Sequence, residues 1–200
     1  LTQSSKVYRK NINIKIIAVT GSCGKTTLKE LLGNSFKKLS KTSTSPKSYN
    51  NKYGVPLSLF NLNQKDDYGV LEIGMDKKGE IDYLSKIVQP DVSVITNINY
   101  AHAKNFKNLK QIALTKSEII HNTKDNGFIV LNADDNLVIN MRNGLKCNIA
   151  LFSLDENNPH IIAHCNEGGL AAIAENGYVT ICKGTWKIRV DKIVNIPLTM

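Results

Sequence analysis

No uninterrupted apolar stretch in this chain approaches the roughly 18 residues a membrane-spanning helix requires, so insertion into a bilayer is not expected. Cysteine is scarce: Cys23, Cys147, Cys165 and Cys182 are the only four in 200 residues. No two form a C-x-x-C pair, which leaves neither a zinc framework nor a disulfide framework. Aromatic residues make up 6% of the chain, with a single tryptophan, and do not alternate with basic residues. That pattern argues against a base-stacking surface for nucleic acid. Acidic residues are outnumbered, 17 against 26 basic, for a formal charge of +9. The lysines are spread along the whole chain, which reads as a solvated basic surface suited to an anionic substrate. Leu1 to Asn13 is polar and basic with no apolar core of a signal peptide, so the cytoplasm is the expected compartment.

What the sequence does contain is one concentrated motif, Thr20-Gly21-Ser22-Cys23-Gly24-Lys25-Thr26-Thr27. It follows an apolar run, Ile14 to Thr20, that reads as a buried strand. It precedes Leu28 to Leu39, where apolar residues recur at helical spacing. Strand, glycine loop and helix in this order build a phosphate cradle. Glycines let backbone N–H groups turn toward anionic oxygens, and the helix adds the positive end of its dipole. Lys25 can reach the outer phosphates and the Thr26 hydroxyl can bind Mg²⁺. The longer phosphate-loop pattern wants a glycine five places before Gly24, where Val19 stands.

Further strands are expected at Tyr68–Gly74, Asp91–Ile98, Gly127–Asn132 and Cys147–Leu154. Helices are expected at Val55–Leu62, Gly79–Gln89, Leu109–Asn122 and Asp134–Arg142, and Leu1–Asn13 reads as a partly helical lead-in. Alternating strands and helices imply an α/β fold, a mostly parallel sheet with helices on both faces. After Pro159 the glycine pairs Gly168-Gly169, Asn176-Gly177 and Lys183-Gly184 break the chain into short pieces. They imply an antiparallel β-meander over residues 160–196, with Trp186 in its core.

Read in order, TGSCGKTT, SYNNKYGVPLSL, VLEIGMDKKGEI, NINYAHAKNF, LTKSEII and LNADDN resemble the central ATPase domain of the Mur ligases. The Asn50-Asn51 and Gly54-Val55-Pro56-Leu57 block resembles the MurF branch. The likeness is strong over residues 14–136 and looser beyond. It implies one central ATP-binding domain over 1–200, without the family's N-terminal UDP-sugar domain or its C-terminal domain, and an expected monomer. It implies an ATP- and Mg²⁺-dependent amide ligase of peptidoglycan synthesis. Such an enzyme joins D-Ala-D-Ala to UDP-MurNAc-tripeptide through an acyl phosphate. A folylpolyglutamate-type ligase and a non-catalytic nucleotide-binding module are the alternatives.

The resemblance also assigns residues. Gly21, Ser22, Cys23, Gly24, Lys25, Thr26 and Thr27 would hold the nucleotide phosphates. Asn50 and Asn51 would lie near the γ-phosphate and the substrate carboxylate, although plain turn chemistry also explains them. Thr26, Glu72, His102 and Lys116, the last if carbamylated, would hold metal, with Lys25, Glu72, His102 and Lys116 as the catalytic set. Lys116 otherwise reads as a surface lysine or an ion-pair partner of Glu118. Asn132 and Asp134-Asp135 would meet adenine, against an alternative in which the strand ends there and each aspartate serves as a helix cap.

Overall fold

The computed structural model describes residues 1–100, 105–145 and 147–195. The described elements are α1 (Thr2–Lys10), β1 (Lys15–Thr20), α2 (Lys25–Lys37), β2 (Thr42–Thr44), α3 (Gly54–Phe60), β3 (Tyr68–Glu72), α4 (Glu80–Val88) and β4 (Val92–Ile95). They continue with α5 (Leu109–Ser117), β5 (Phe128–Asn132), α6 (Asn136–Ile139), β6 (Asn148–Ser153), α7 (Pro159–Asn166), β7 (Leu170–Glu175), β8 (Tyr178–Lys183) and β9 (Trp186–Lys192).

All the strands join one sheet in the order β2-β3-β1-β4-β5-β6-β7-β8-β9. Pairing is parallel from β2 to β7 and antiparallel across β7-β8 and β8-β9. Strand β1 is central because it can be buried on both sides. Ile16 and Ala18 enter a large core with Leu71, Ile95 and Leu131, closed by Leu59 of α3, Ile81 of α4 and Ile112 of α5. Ile17 and Val19 enter a smaller one with Val70 and Val94, under Leu28, Leu32 and Phe36 of α2. A strand buried on both faces reads as a continuous apolar run, as this one does.

The region after Pro159 departs from the sequence expectation. Residues Pro159–Asn166 form a helix, and β7 extends the parallel sheet, so antiparallel pairing begins only at the β7-β8 turn. The helix is set by Asn158, whose side chain accepts from His160 N, followed by proline at the first helical position. Trp186 is not in a core. It is 57% exposed on β9, whose residues are all exposed at the sheet edge. The expected helix Leu109–Asn122 ends as α5 at Ser117, with a 3₁₀ turn over Ile120–Asn122. The lead-in is α1, tied down by the buried Arg9, which donates to Val88 O at 2.7 Å and Gln89 O at 3.2 Å.

Candidate nucleotide site

The order 2-3-1-4 puts β1 between strands whose connections run in opposite directions. Ligands of open α/β sheets sit beyond the strand C-termini at such a point. There β1 ends at Thr20, β3 at Glu72, β4 at Ile95 and β5 at Asn132.

The loop after β1 is shaped by two glycines. Gly21 has φ +146°, and a Cβ there would lie 1.9 Å from Thr96 Oγ1. Gly24, at φ +78°, caps α2. The end of β4 holds the loop from below. Ser22 Oγ donates to Asn99 O at 2.9 Å and accepts from Asn99 N at 2.8 Å. Cys23 N donates to Asn97 Oδ1 at 3.0 Å, and Cys23 O accepts from Thr96 Oγ1 at 2.7 Å. Thr96, Asn97 and Asn99 were given no role of their own in the sequence, yet they set the loop's shape. Thr27 is exposed on the first turn of α2.

Two lysines converge on one carbonyl. Lys25 Nζ and Lys116 Nζ each donate to Gly21 O at 2.9 Å, and Lys25 also donates to Ser22 O at 3.0 Å. Lys116 is buried, and burial with the neighbouring Lys25 charge lowers its pKa to about 7. Burial also lowers the pKa of Lys25, with the Glu72 carboxylate acting in the opposite direction. Lys116 is not an ion-pair partner of Glu118. The Glu118 carboxylate instead accepts from Gly79 N and Asp82 N, each at 3.0 Å, and caps α4.

Across the cavity stands Glu72, 1% exposed. It accepts from Thr26 Oγ1 at 2.7 Å and from Asn50 Nδ2 at 2.6 Å. Lys25, Thr26, Asn50, Asn51, Glu72 and Lys116 all line one cavity of about 470 Å³. Residues from positions as far apart as 25 and 116 thus come together at one cavity. His102 lies outside the described residues.

Three of the assigned residues, Asn51 of the cavity lining among them, also hold the local structure together. Asn51 Oδ1 accepts from Tyr53 N and Gly54 N and starts α3. Asn132 Nδ2 donates to Thr96 O at 2.9 Å, and its Oδ1 accepts from Asp134 N. The Asp134 carboxylate accepts from Ser153 Oγ at 2.5 Å, Leu154 N at 2.8 Å and Asn158 Nδ2 at 3.0 Å. It therefore joins β5 to the β6–α7 connection and does not itself cap a helix, unlike the structural alternative raised for it. Its neighbour Asp135 caps α6 and accepts from Ile98 N at 2.7 Å.

The donor set suits a hard divalent cation: a carboxylate and a hydroxyl in contact, both oxygen ligands of the kind Mg²⁺ takes. Among the described residues, no three His, Cys, Asp or Glu side chains converge as a metal cluster. Glu72 would therefore share the ion with Thr26 and with phosphate oxygens.

A glycine loop between a central parallel strand and a helix, with paired lysines facing a carboxylate, defines a nucleotide-binding α/β domain. Comparison with known proteins narrows the class. The family model described as "Mur ligase middle domain" matches residues 19–182, and the chain belongs to that family. The UDP-N-acetylmuramoyl-tripeptide–D-alanyl-D-alanine ligase of Buchnera aphidicola (subsp. Acyrthosiphon pisum) is 41% identical over 155 residues, 77% of this chain and 34% of that protein. The cyanophycin synthetase of Geminocystis herdmanii is 34% identical over 203 residues, 94% of this chain and 23% of that protein. Among solved structures, MurF from Acinetobacter baumannii superposes with a TM-score of 0.78 at 31% identity, covering 95% of this chain and 41% of that one. MurF from Thermotoga maritima in complex with ADP gives 0.71 at 28% identity, covering 96% and 44%. The chain thus spans about a third of one of these curated relatives and about a quarter of the other. No described helix is long and apolar enough to cross a membrane.

Proposed function

We propose that this chain is the ATP-binding domain of a cytoplasmic amide ligase that joins D-Ala-D-Ala to UDP-MurNAc-tripeptide. The observation that carries the reading is the two-sided site. Lys25 and Lys116 bring two side-chain nitrogens onto Gly21 O, opposite Glu72 held by Thr26 and Asn50. The Lys25 ammonium, which meets only main-chain carbonyls, is under-neutralised, and a polyphosphate supplies the missing negative charge.

In the proposed reaction the tripeptide carboxylate attacks the γ-phosphorus of ATP and ADP leaves. The amine of D-Ala-D-Ala then attacks the acyl carbon, inorganic phosphate leaves, and the amine gives up a proton. The domain supplies position and charge rather than a covalent nucleophile. Lys25 would exchange its contacts to Gly21 O and Ser22 O for phosphate oxygens. Asn50 holds Glu72 in place beside the route to the γ-phosphate. Mg²⁺ bound at Glu72 and Thr26 would neutralise the crowded phosphate oxygens. Lys116, with a pKa near neutrality, carries a substantial fraction of free amine. That amine can add to CO₂, forming an N–C bond and releasing a proton, and the resulting carbamate would give the site a second carboxylate.

The test is phosphate release by the complete gene product with ATP, Mg²⁺ and UDP-MurNAc-tripeptide. Release that rises on adding D-Ala-D-Ala, with the ligated product seen by mass spectrometry, supports the reading. Release indifferent to D-Ala-D-Ala removes it. A second reading has its own support, because the similarity to a cyanophycin synthetase extends over 94% of the chain, beyond the 77% matched by the Buchnera ligase. An amide ligase with another acceptor would bind MgATP equally well and fail only on D-Ala-D-Ala.

A further inference from the structure

Lys29 lies one helical turn beyond Lys25, yet its side chain is completely buried. A buried ammonium is costly unless its protons are all accepted. Here they are. Nζ donates to Ser45 O at 2.8 Å, to Lys47 O at 2.7 Å and to Glu30 Oε1 at 2.5 Å. The first two acceptors are main-chain carbonyls of the segment leaving β2. That segment turns at Lys47, whose φ of +45° is a left-handed conformation rare for a side chain bearing Cβ. One turn further along α2, a Cβ on Gly33 would lie 2.1 Å from Thr44 Cγ2, so helix and strand end are in close contact.

The same segment reaches the site. Ser45 Oγ accepts from Glu72 N at 3.3 Å, and Asn50 O accepts from Gly74 N at 2.7 Å. Asn50 Nδ2 then meets one Glu72 oxygen while Thr26, on α2, meets the other. The two donors that orient Glu72 belong to two pieces of chain, and Lys29 ties those pieces together.

We propose that Lys29 is a positioning residue. Its ammonium clamps the 45–51 segment to the phosphate-loop helix and so sets the Thr26–Glu72–Asn50 arrangement that receives the nucleotide's divalent cation. The proposal rests on the reading of Glu72 as the cation's carboxylate. It concerns cation-dependent binding and not the phosphate cradle itself, which Lys25 and the loop provide.

The test is calorimetry of ADP binding to this chain, with Mg²⁺ and with EDTA, for the unsubstituted protein, Lys29→Met, Asn50→Ala and the double variant. Lys29→Met keeps an unbranched apolar stem in the buried position without a donor. Its affinity for ADP in EDTA should fall less than threefold, while the affinity gained on adding Mg²⁺ should fall at least tenfold. Because Lys29 acts through Asn50, the loss should shrink to less than threefold in the Asn50→Ala background. If Lys29→Met does not fold, as judged by near-ultraviolet circular dichroism, Lys29→Gln is carried through the same titrations. An unchanged Mg²⁺ gain, equal losses with and without Mg²⁺, or a full tenfold loss in the Asn50→Ala background overturns the proposal. An unsubstituted protein that gains nothing from Mg²⁺ removes the reading of Glu72 first, and the role of Lys29 with it.

Discussion

Replacing Lys116 with methionine should make the protein more stable, and the gain should depend on pH in a particular way. Lys116 is 3% exposed, and its pKa falls from 10.5 to about 7, first through burial and then through the Lys25 charge. The unfolded chain holds this proton up to pH 10.5, while the folded chain releases it from about pH 7. Between those values the unfolded state binds more protons, so stability rises with pH. Below pH 7 the penalty is fully present. At 1.36 kcal/mol per pKa unit it is on the order of 4–5 kcal/mol at pH 6 and falls by about 2 kcal/mol between pH 7 and 9. Methionine is unbranched and only one atom shorter, and it removes the charge. The carbonyl it abandons is not orphaned, because Gly21 O still accepts from Lys25. Urea unfolding at pH 6, 7, 8 and 9, in CO₂-free buffer to prevent carbamylation, would measure both proteins. The variant should exceed the parent most at pH 6 and least at pH 9. Parallel curves would show that Lys116 carries no burial penalty and would refute the reasoning.

Lys25→Ala should leave the fold intact and weaken ATP binding about ten- to a hundredfold, since a charge-assisted contact to phosphate is worth roughly 1.5–3 kcal/mol. Calorimetry showing unchanged affinity in a folded variant would remove the phosphate cradle. Gly21→Ala puts a Cβ against Thr96 Oγ1 at a positive φ. It should cost about 1–3 kcal/mol in thermal unfolding and weaken nucleotide binding as well. Asp134→Ala should cost about 1–3 kcal/mol in denaturant unfolding by freeing three donors, with ADP affinity changed less than threefold. A large loss of affinity without loss of stability would make Asp134 a ligand contact after all.

The legible parts of the fold were those where one local pattern sufficed. The Ile14–Thr20 run, the glycines after it and the helical spacing of Leu28, Leu31, Leu32 and Phe36 lie within a few turns of one another. The convergence of Glu72 and Lys116 on that loop was legible through resemblance, aided by the rule that sites lie beyond parallel strand ends. Lys29 was not, because a lysine on an amphipathic helix looks solvated. Its partners lie 16 and 18 residues away, and no periodicity points to them. Helix α7 did carry a local signal, Asn158 before Pro159, which the glycine pairs that follow it obscured. Trp186 was misplaced because strand alternation tells which residues share a face. It does not tell whether anything covers that face, and β9 is the outermost strand.

The position of β1 also has a consequence for synthesis on the ribosome. Among the described strands it precedes the others in the chain, yet its neighbours are β3 and β4, and its last pairing, Thr20 with Ile95, spans 75 residues. At about 5–20 residues per second, that partner follows roughly 4–15 seconds later. Throughout that interval Lys15–Thr20, apolar and suited to pairing on both edges, has no finished sheet to enter. A stretch that ends buried on both faces of the sheet thus waits unpaired during translation, and a nascent-chain chaperone has an apolar segment to shield there.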